Sequence, residues 1–310
     1  MPKKTAPNKT ALNFALTLPW FRDRNELPAR LPTRVQIETA TTEFPSIYDA
    51  SSRRTVLVNE NFVVKYGPAV FENEGHALLL VESYPDIPAP RLYAMYREEG
   101  KLYIIMEFIA GLRLSDVWQR LSEEEKSTVV SQLRLAFETL RSIPSPGYFG
   151  GVSGGPLPHR YFFSLDSDPQ VTGPFSAEED LCRALVLRSA KNWESWGRRG
   201  WMTDFFARHL PTTLRGHDSV LTHSDFQRKN ILIKEYSSMA NPGSVPQKHL
   251  HLAAILDWES AGWYPSYWGY ALCFAYFDWS DDWPEKVERI LEPYVNESAL
   301  MRILVQDLDS

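Results

Sequence analysis

The sequence predicts an α+β protein of two lobes, in which a small antiparallel sheet carrying one helix precedes a larger, mainly helical part. Between residues 55 and 107, short β-branched runs alternate with turns and one helical segment, whereas helical periodicity dominates from residue 115 onward. The length of 310 residues allows two lobes around a cleft, since domains typically span about 100–200 residues. We therefore expect an N-terminal extension at 1–46, an N-lobe at 47–110 and a C-lobe at 111–310.

The N-terminal extension is rich in proline and charged residues and carries apolar patches at 12–16 and 20–21. We expect it to pack on the outside of the body, and its pattern leaves room for one short helix.

The charge of the whole chain indicates which partners to expect. The net charge is −6 without a run of Lys or Arg, so neither a nucleic acid nor an anionic membrane is an expected partner.

The two cysteines, Cys182 and Cys273, form neither a disulfide framework nor a metal-binding spacing, which fits a reducing compartment. No apolar stretch approaches the roughly 18 residues of a membrane span, and the polar start of the chain is not a secretory signal. We therefore expect a cytoplasmic protein. The sequence leaves its oligomeric state open.

The N-lobe is predicted from local patterns. Residues 56–58 and 62–65 are β-branched runs on either side of a polar turn, as in a hairpin. Residues 70–83 place apolar side chains at helical spacing and end before a group of prolines. Two further strands are expected at 91–96 and 101–107, which gives the order strand, strand, helix, strand, strand.

The C-lobe begins after Gly111. Residues 115–140, 177–209 and 265–305 have helical patterns, and 144–176 is a loop rich in Gly, Pro and Ser. A polar segment at 235–249 has the composition of a flexible insertion inside a hairpin.

The strongest functional signal is the stretch 221–233, where polar residues lead into a buried apolar run. Asp225 and Asn230 are five positions apart, which is the separation of the catalytic base and the metal-binding Asn in a template for phosphoryl transfer. Asp257 ends the next apolar run, where a hairpin would return a carboxylate to the same pocket. Mg²⁺ takes oxygen ligands, so Asn230 and Asp257 are candidate metal ligands. Asp225 is then free to accept the proton of an acceptor hydroxyl, and His223 is expected to brace the loop.

Lys65 ends the second predicted strand, and Glu74 follows nine positions later on the predicted helix. A lysine so placed binds donor phosphates while the acid holds its ammonium group. Glu72 is a rival for the acid, but Glu74 lies better with the apolar face of the helix. The connection between the lobes, 106–109, offers backbone groups of Glu107 and Ile109 that could pair with adenine.

The aromatic and acidic residues near the C-terminus allow two interpretations. They could form a pocket for a cationic acceptor, or a helical core with a solvated acidic turn, and we favour the core. The residues concerned are Trp258, Trp263, Trp268, Trp279, Trp283, Asp278, Asp281 and Asp282.

The sequence resembles the aminoglycoside phosphotransferase and choline kinase-like superfamily, and more narrowly its fungal phosphotransferase-family group. The most specific motifs are at 222–232 and 255–268, and those at 64–67, 87–91, 105–111, 140–144 and 173–175 support them. This resemblance implies a protein-kinase-like bilobal fold with ATP (GTP is possible) and Mg²⁺ in the cleft. It implies the roles already given for Asp225, Asn230, Asp257, Lys65 and Glu74.

The sequence departs from that superfamily at two points. Ser224 stands where the superfamily usually has Gly, and no glycine-rich motif precedes Lys65. The corresponding turn, 49–53, would use serine hydroxyls and backbone amides instead.

Two main functions are compatible with these patterns. The first is an ATP-dependent kinase of a small-molecule hydroxyl or amine, and the second is a catalytically idle kinase-like protein that binds a nucleotide or metabolite. A third, a metal-dependent hydrolase, would use His217 and His223 with Asp225 and Asp257. The sequence does not name the acceptor.

Overall fold

The computed structural model describes residues 16–45, 49–198, 200–238, 247–276 and 280–309. These residues form three antiparallel sheets and a set of helices. The strands are β1 (Trp20–Phe21), β2 (Arg54–Val58), β3 (Phe62–Gly67), β4 (Leu92–Glu98), β5 (Lys101–Glu107), β6 (Leu112–Arg113), β7 (Gly150–Gly151), β8 (Ser219–Thr222), β9 (Ile231–Ser238), β10 (Gln247–Ile255) and β11 (Gly262–Pro265). The α-helices are α1 (Arg34–Glu38), α2 (Asn73–Glu82), α3 (Leu114–Val117), α4 (Glu123–Ser142), α5 (Pro169–Thr172), α6 (Glu178–Ser195), α7 (Trp201–Thr213), α8 (Trp268–Tyr276), α9 (Trp283–Ile290) and α10 (Val295–Leu308).

The N-lobe is a five-stranded sheet in the order β1-β4-β5-β3-β2. The predicted hairpin forms, and Asn59 and Glu60 both adopt positive φ in the three-residue connection between β2 and β3. Strand β3 lies between β2 and β5, and its Lys65 pairs with Thr55 on one side and Ile104 on the other. Alternation along the strand therefore fixes the face of the sheet from which Lys65 projects.

The two faces of this sheet are covered differently. One face packs against α2 in an apolar cluster that continues through α4 to Trp258 in the C-lobe. The other face forms a second cluster around Phe62 and Tyr103, closed by Ile37 of α1. The extension thus contributes the one short helix its pattern allowed. It also supplies the edge strand β1, which pairs with β4 and was not predicted.

The C-lobe begins with β6, which pairs with β9. Helix α4 starts with a capping box in which Ser122 and Glu125 bond each other's backbone amides. A third apolar cluster joins α6, α7, α8 and α10. The helices expected at 177–209 and 265–305 are therefore present, and the α+β class with a sheet lobe and a helical lobe is confirmed.

The hairpin of β9 and β10 positions the predicted catalytic residues. Its register pairs Ile231 with Ile255, so the residues just outside these strands meet at one end. The Leu256 amide donates to the Asn230 carbonyl at 2.7 Å, which places Asn230 one residue from Asp257 across the hairpin. Strand β9 extends to Ser238 and β10 begins at Gln247, so residues 235–238 and 247–249 of the predicted insertion belong to these strands. Residues 239–246 lie outside the described part.

Among the described helices, none combines the length and the apolar character needed to cross a bilayer.

Candidate active site

Lys65 and Glu74 form a buried ion pair between β3 and α2. The Lys65 Nζ lies 2.7 Å from the Glu74 Oε2, and the two residues are 5% and 2% exposed. The nine-residue spacing therefore does bring this lysine to this acid. Glu72, the rival, instead pairs with Arg97 on the surface.

Two further carboxylates surround the Lys65 ammonium. Asp257 Oδ1 lies 2.8 Å from Nζ, and Glu259 Oε2 lies 3.5 Å away. Oxygens of Glu74, Asp257 and Glu259 all lie within 4.8 Å of one another. Asp257, two residues after the end of β10, adopts a left-handed backbone conformation with φ 66°.

Burial and charge act in opposite directions on these groups. Burial alone would lower the pKa of Lys65, but Glu74, Asp257 and Glu259 outweigh it and raise that pKa, so the ammonium stays charged. Burial would raise the pKa of Asp257, but Lys65 lowers it to about 2. Glu74 is the group that burial dominates, and its pKa is raised to about 7. Asp257 is thus ionised at neutral pH.

Asn73, at the start of α2, ties this helix to the C-lobe. Its amide nitrogen donates to the carbonyls of Glu259 at 2.9 Å and Ala261 at 2.8 Å, and its amide oxygen accepts from the Val152 amide at 3.1 Å. Three backbone groups of the C-lobe are therefore held by one side chain of the N-lobe. This contact fixes the neighbouring Glu74 relative to residues 257–259, which carry Asp257 and Glu259 and are called the acidic turn below.

The carboxylate of Asp225 is held by amides on its own loop. Asn230 Nδ2 donates to Asp225 Oδ2 at 2.7 Å and to the Asp225 carbonyl at 3.0 Å. Gln227 Nε2 donates to the other carboxylate oxygen, Oδ1. Because the Asn230 nitrogen is turned toward Asp225, its amide oxygen remains the atom that can serve as a ligand.

His223 connects this loop to the hairpin that carries Asp257. Its Nε2 donates to the Leu256 carbonyl at 2.9 Å, and its Nδ1 accepts from the Asp225 amide at 3.3 Å. These two bonds require the neutral ring, and burial lowers the pKa of His223 despite the nearby carboxylates. The expected bracing role of His223 matches this geometry.

The turn at 49–53 differs from the sequence-based expectation. The amides of Ser51, Ser52 and Arg53 all donate to Asp49, so they point into the turn and not toward the cleft. The group that enters the cleft is the Arg53 guanidinium, whose Nη1 lies 2.5 Å from Glu259 Oε2. The prediction that this turn would present backbone amides is therefore wrong, because an aspartate at its start takes them.

A family model described as "Phosphotransferase enzyme family" matches residues 45–299. The chain belongs to this family. The match covers most of the chain and includes every residue of the site described above. It confirms the superfamily to which the motifs at 222–232 and 255–268 pointed.

Solved structures of aminoglycoside phosphotransferases share the fold of this family member. The ADP-bound structure of APH(2'')-Ib has 17% identity and a TM-score of 0.55, covering 85% of this chain and 80% of its own. The streptomycin–ATP–APH(2'')-IIa complex has 17% identity and a TM-score of 0.53, covering 87% and 83%. APH(3'')-Id from Streptomyces rimosus, with ADP and streptomycin, has 15% identity and a TM-score of 0.50, covering 89% and 96%. The fold is thus the kinase-like bilobal fold of these enzymes.

No curated protein sequence gives a significant match to this phosphotransferase-family chain.

The linker between the lobes begins at Glu107. Its amide donates to the Arg91 carbonyl at 2.9 Å, and the next amide, of Phe108, donates to the Asn61 carbonyl at 3.0 Å. Among the described residues, Ile109 is the first in the linker whose amide has no acceptor. Of the two predicted adenine contacts, Ile109 thus keeps its backbone donor, whereas the Glu107 donor is occupied.

The tryptophans near the C-terminus lie in the core, as favoured from the sequence. Trp258, Trp263, Trp268 and Trp283 are buried. Asp281 pairs with Arg228 at 2.6 Å, and Asp282 pairs with Lys126 at 3.0 Å. Trp279 and Asp278 lie outside the described residues.

His217, which a hydrolase would need, sits apart from these groups. Its Nδ1 lies 2.7 Å from Glu178, and its Nε2 lies 3.4 Å from Glu297. Its ring therefore packs among helices of the C-lobe and does not join His223 in a metal site.

Sequence reasoning missed four side chains of this site. Glu259 and Asn73 each adjoin a predicted residue, so the pattern Asp-x-Glu and the pair Asn-Glu were available signals. Gln227 lies within the stretch 221–233, two positions after Asp225. Arg53 carried no local signal, because its partners are more than 200 residues away in sequence.

Proposed function

We propose that this chain is an ATP- and Mg²⁺-dependent phosphotransferase that acts on a hydroxyl (or amine) of a small molecule. The observation that carries the proposal is the position of Asp257. Its carboxylate contacts the buried Lys65 at 2.8 Å, and its neighbour Leu256 bonds both Asn230 and His223 of the loop that bears Asp225. These contacts between residues far apart in sequence support the proposal, because phosphoryl transfer needs a lysine, metal ligands and a base in one cleft.

The donor set fits Mg²⁺. Asn230 and Asp257 offer an amide oxygen and an ionised carboxylate, and the surrounding groups of the acidic turn are also oxygen donors. Mg²⁺ prefers oxygen ligands and is usually bound through one or two protein carboxylates together with substrate phosphates. The ion supplies charge neutralisation at the donor phosphates when it is bound.

The chain's own residues then have distinct tasks. Lys65 binds donor phosphate oxygens, and Glu74 holds its ammonium so that the charge is in place before the donor arrives. Asp225 orients the acceptor hydroxyl and takes its proton late in the reaction. Asn230 and Gln227 fix the Asp225 carboxylate by two hydrogen bonds.

The nucleotide is proposed from the fold and the linker. The similar structures hold ADP or ATP, and in this chain the Ile109 amide is a donor available for the edge of adenine. The Glu107 carbonyl is the complementary acceptor that we propose. GTP presents a different edge to the same linker and belongs in the same binding test.

The acceptor class is a small molecule. Two of the similar structures contain streptomycin, so amino sugars and amino alcohols form the first acceptor panel, followed by neutral sugars. Transfer of labelled γ-phosphate from ATP to any of these would identify the acceptor.

The metal assignment is tested by calorimetry of nucleotide binding to wild type and Asp257→Ala, with and without Mg²⁺. We expect wild type to bind nucleotide much more tightly with Mg²⁺ and Asp257→Ala to lose that difference, because the carboxylate ligand is gone. Asp86→Ala, which removes an exposed acid of the N-lobe, is the matched control. Equal dependence on Mg²⁺ in wild type and Asp257→Ala would contradict the assignment.

The alternative is a catalytically idle protein that binds a nucleotide. The observation in its favour is that Asp257 is already neutralised by Lys65 and approached by Arg53 at 3.8 Å. Mg²⁺-dependent nucleotide binding without transfer to water or to any acceptor, unchanged by Asp225→Asn, would favour this alternative.

A further inference from the structure

The guanidinium of Arg53 contacts the carboxylates of Glu259 and Asp257, and the proposed function assigns Asp257 to the metal. Its Nη1 lies 2.5 Å from Glu259 Oε2, and its Nη2 lies 3.8 Å from Asp257 Oδ1. The side chain is only 8% exposed, so it fills the cleft and does not lie on the surface. Cavities of about 310 and 360 Å³ open elsewhere, on the outer face of the N-lobe sheet and beside the linker.

The turn that carries Arg53 packs closely against the end of β3. A Cβ at Gly67 would lie 2.3 Å from the Ser52 carbonyl oxygen, so only glycine permits this approach. The Ala69 amide also donates to the Ser52 carbonyl at 3.0 Å. Because Asp49 takes the amides of the turn, the guanidinium is the polar group that the turn offers to the cleft.

The charges in the cleft limit what can enter it. Lys65 and Arg53 face Glu74, Asp257 and Glu259, so two cations already meet three carboxylates. A divalent cation on Asp257 would give the cluster an excess of positive charge if Arg53 stayed. The same cation arrives with a polyanionic donor, and guanidinium groups bind phosphate oxygens in a bidentate manner.

We propose that Arg53 is a donor-phosphate ligand that the nucleotide-free protein holds on Asp257 and Glu259, where it competes with the divalent cation. The proposal rests on the proposed function. When Asp257 serves the metal, the guanidinium leaves the acidic turn and contacts phosphate oxygens of the nucleotide. In this chain the Arg53 guanidinium thus binds the donor phosphates in place of the backbone amides that a glycine-rich turn would present.

Two measurements on Arg53→Met should change in opposite directions. Calorimetric titration with MgCl₂ or MnCl₂ alone should show tighter metal binding than wild type, because the competing cation is gone. Titration with ADP in saturating Mg²⁺ should show affinity reduced by about 10- to 100-fold, as expected for a lost charged hydrogen bond to phosphate. A merely structural role would weaken both.

Arg54→Met is the matched control, since the next residue bonds Glu43 and Tyr66 away from the cleft. It should leave both affinities unchanged. Arg53→Lys keeps the charge but not the bidentate geometry, so metal affinity should stay close to wild type while ADP affinity falls; this variant also decides the question if Arg53→Met does not fold.

The proposal is overturned if Arg53→Met weakens metal binding or leaves ADP binding unchanged. Failure of the proposed function would look different. Wild type would then transfer phosphate to no acceptor. Even if wild type and both Arg53 variants also bound no nucleotide, tighter metal binding by Arg53→Met would still support the competition at the acidic turn.

Discussion

The two halves of the cleft hold their charged groups by different means. On the N-lobe side, Lys65 and Glu74 are buried and meet charge to charge at 2.7 Å. On the C-lobe side, the Asp225 side chain is 27% exposed and is held by the neutral amides of Asn230 and Gln227, while the exposed Lys229 ammonium is 3.9 Å away. A buried pair is strongly destabilised by loss of one partner, whereas a hydrogen-bonded carboxylate at the surface can change partners at little cost. The N-lobe half is therefore suited to fixing charge and the C-lobe half to exchanging a proton.

Asp257 belongs to both halves. Its carboxylate pairs with Lys65 of the N-lobe, yet the residue follows β10 of the C-lobe. The neutral ring of His223 bonds the carbonyl of the preceding residue, Leu256. Asn73 adds a neutral clamp between the lobes at the same place. The comparison predicts that variants on the two sides will fail differently, in turnover on one side and in folding on the other.

The largest effect is expected for Asp225→Asn. If the C-lobe half supplies the base, transfer should fall by about 10²–10⁴-fold, while nucleotide affinity and stability stay close to wild type. Labelled-phosphate transfer measures the first quantity and calorimetry the second. Asp218→Asn, which alters an exposed acid seven residues earlier, should retain full transfer. Unaltered transfer in Asp225→Asn would refute its role as base.

Lys65→Met tests the N-lobe half. It leaves Glu74 buried without its cation, so the free energy of unfolding should drop by about 3–5 kcal/mol, as for other broken buried pairs. Urea denaturation measures this loss. The double variant Lys65→Met/Glu74→Gln should recover part of the stability but no nucleotide affinity. A stability unchanged in the single variant would mean that the pair is not buried in solution.

A third prediction concerns the pH dependence of stability, to which two buried histidines contribute, one of them within the candidate site. His159 packs edge-on against Trp268, and burial lowers its pKa to about 3, below its ordinary value of 6.5. Its contribution to stability is therefore complete above pH 6.5 and is lost as the pH falls, by about 2 kcal/mol at pH 5. Burial lowers the pKa of His223 in the same direction.

Both His159→Gln and His223→Gln should flatten the loss of stability between pH 6.5 and 5, measured by urea denaturation at each pH. Only His223→Gln should lower transfer at neutral pH, because its ring connects Asp225 to the hairpin. An undiminished acid sensitivity in His159→Gln would show that other groups titrate there.

Local patterns identified the residues that lie on regular elements. Lys65 and Glu74 could be paired from sequence because a strand and the first turn of the helix that follows it have few possible arrangements. Asp225, Asn230 and Asp257 were marked by the apolar runs beside them, which are typical of buried strands. In the structure Asn230 bonds Asp225 and the residue before Asp257, and Asp257 bonds Lys65; their chemical roles remain proposals.

Long-range pairing could not be predicted in the same way. Strand β1 has only two residues, and its strand conformation depends on the edge of β4, 70 residues or more away. Arg53 reaches Glu259 across 206 positions, and no spacing rule covers such a contact. The amides of the turn at 49–53 were assigned wrongly because an Asp at the first position can satisfy them locally.

The smallest predicted effect concerns Ser224, which stands where this superfamily usually has Gly. Its φ of 65° is strained for a residue with a side chain, but its hydroxyl accepts a hydrogen bond from the buried Trp268 Nε1 at 2.9 Å. Ser224→Gly relieves the strain and loses the acceptor, so stability should change by less than about 1 kcal/mol. Ser224→Ala keeps the strain and loses the acceptor, so it should cost about 1–3 kcal/mol. Thermal or urea denaturation that finds Ser224→Ala as stable as wild type would show that the hydroxyl does not hold the loop, and the serine would then be a tolerated departure from glycine.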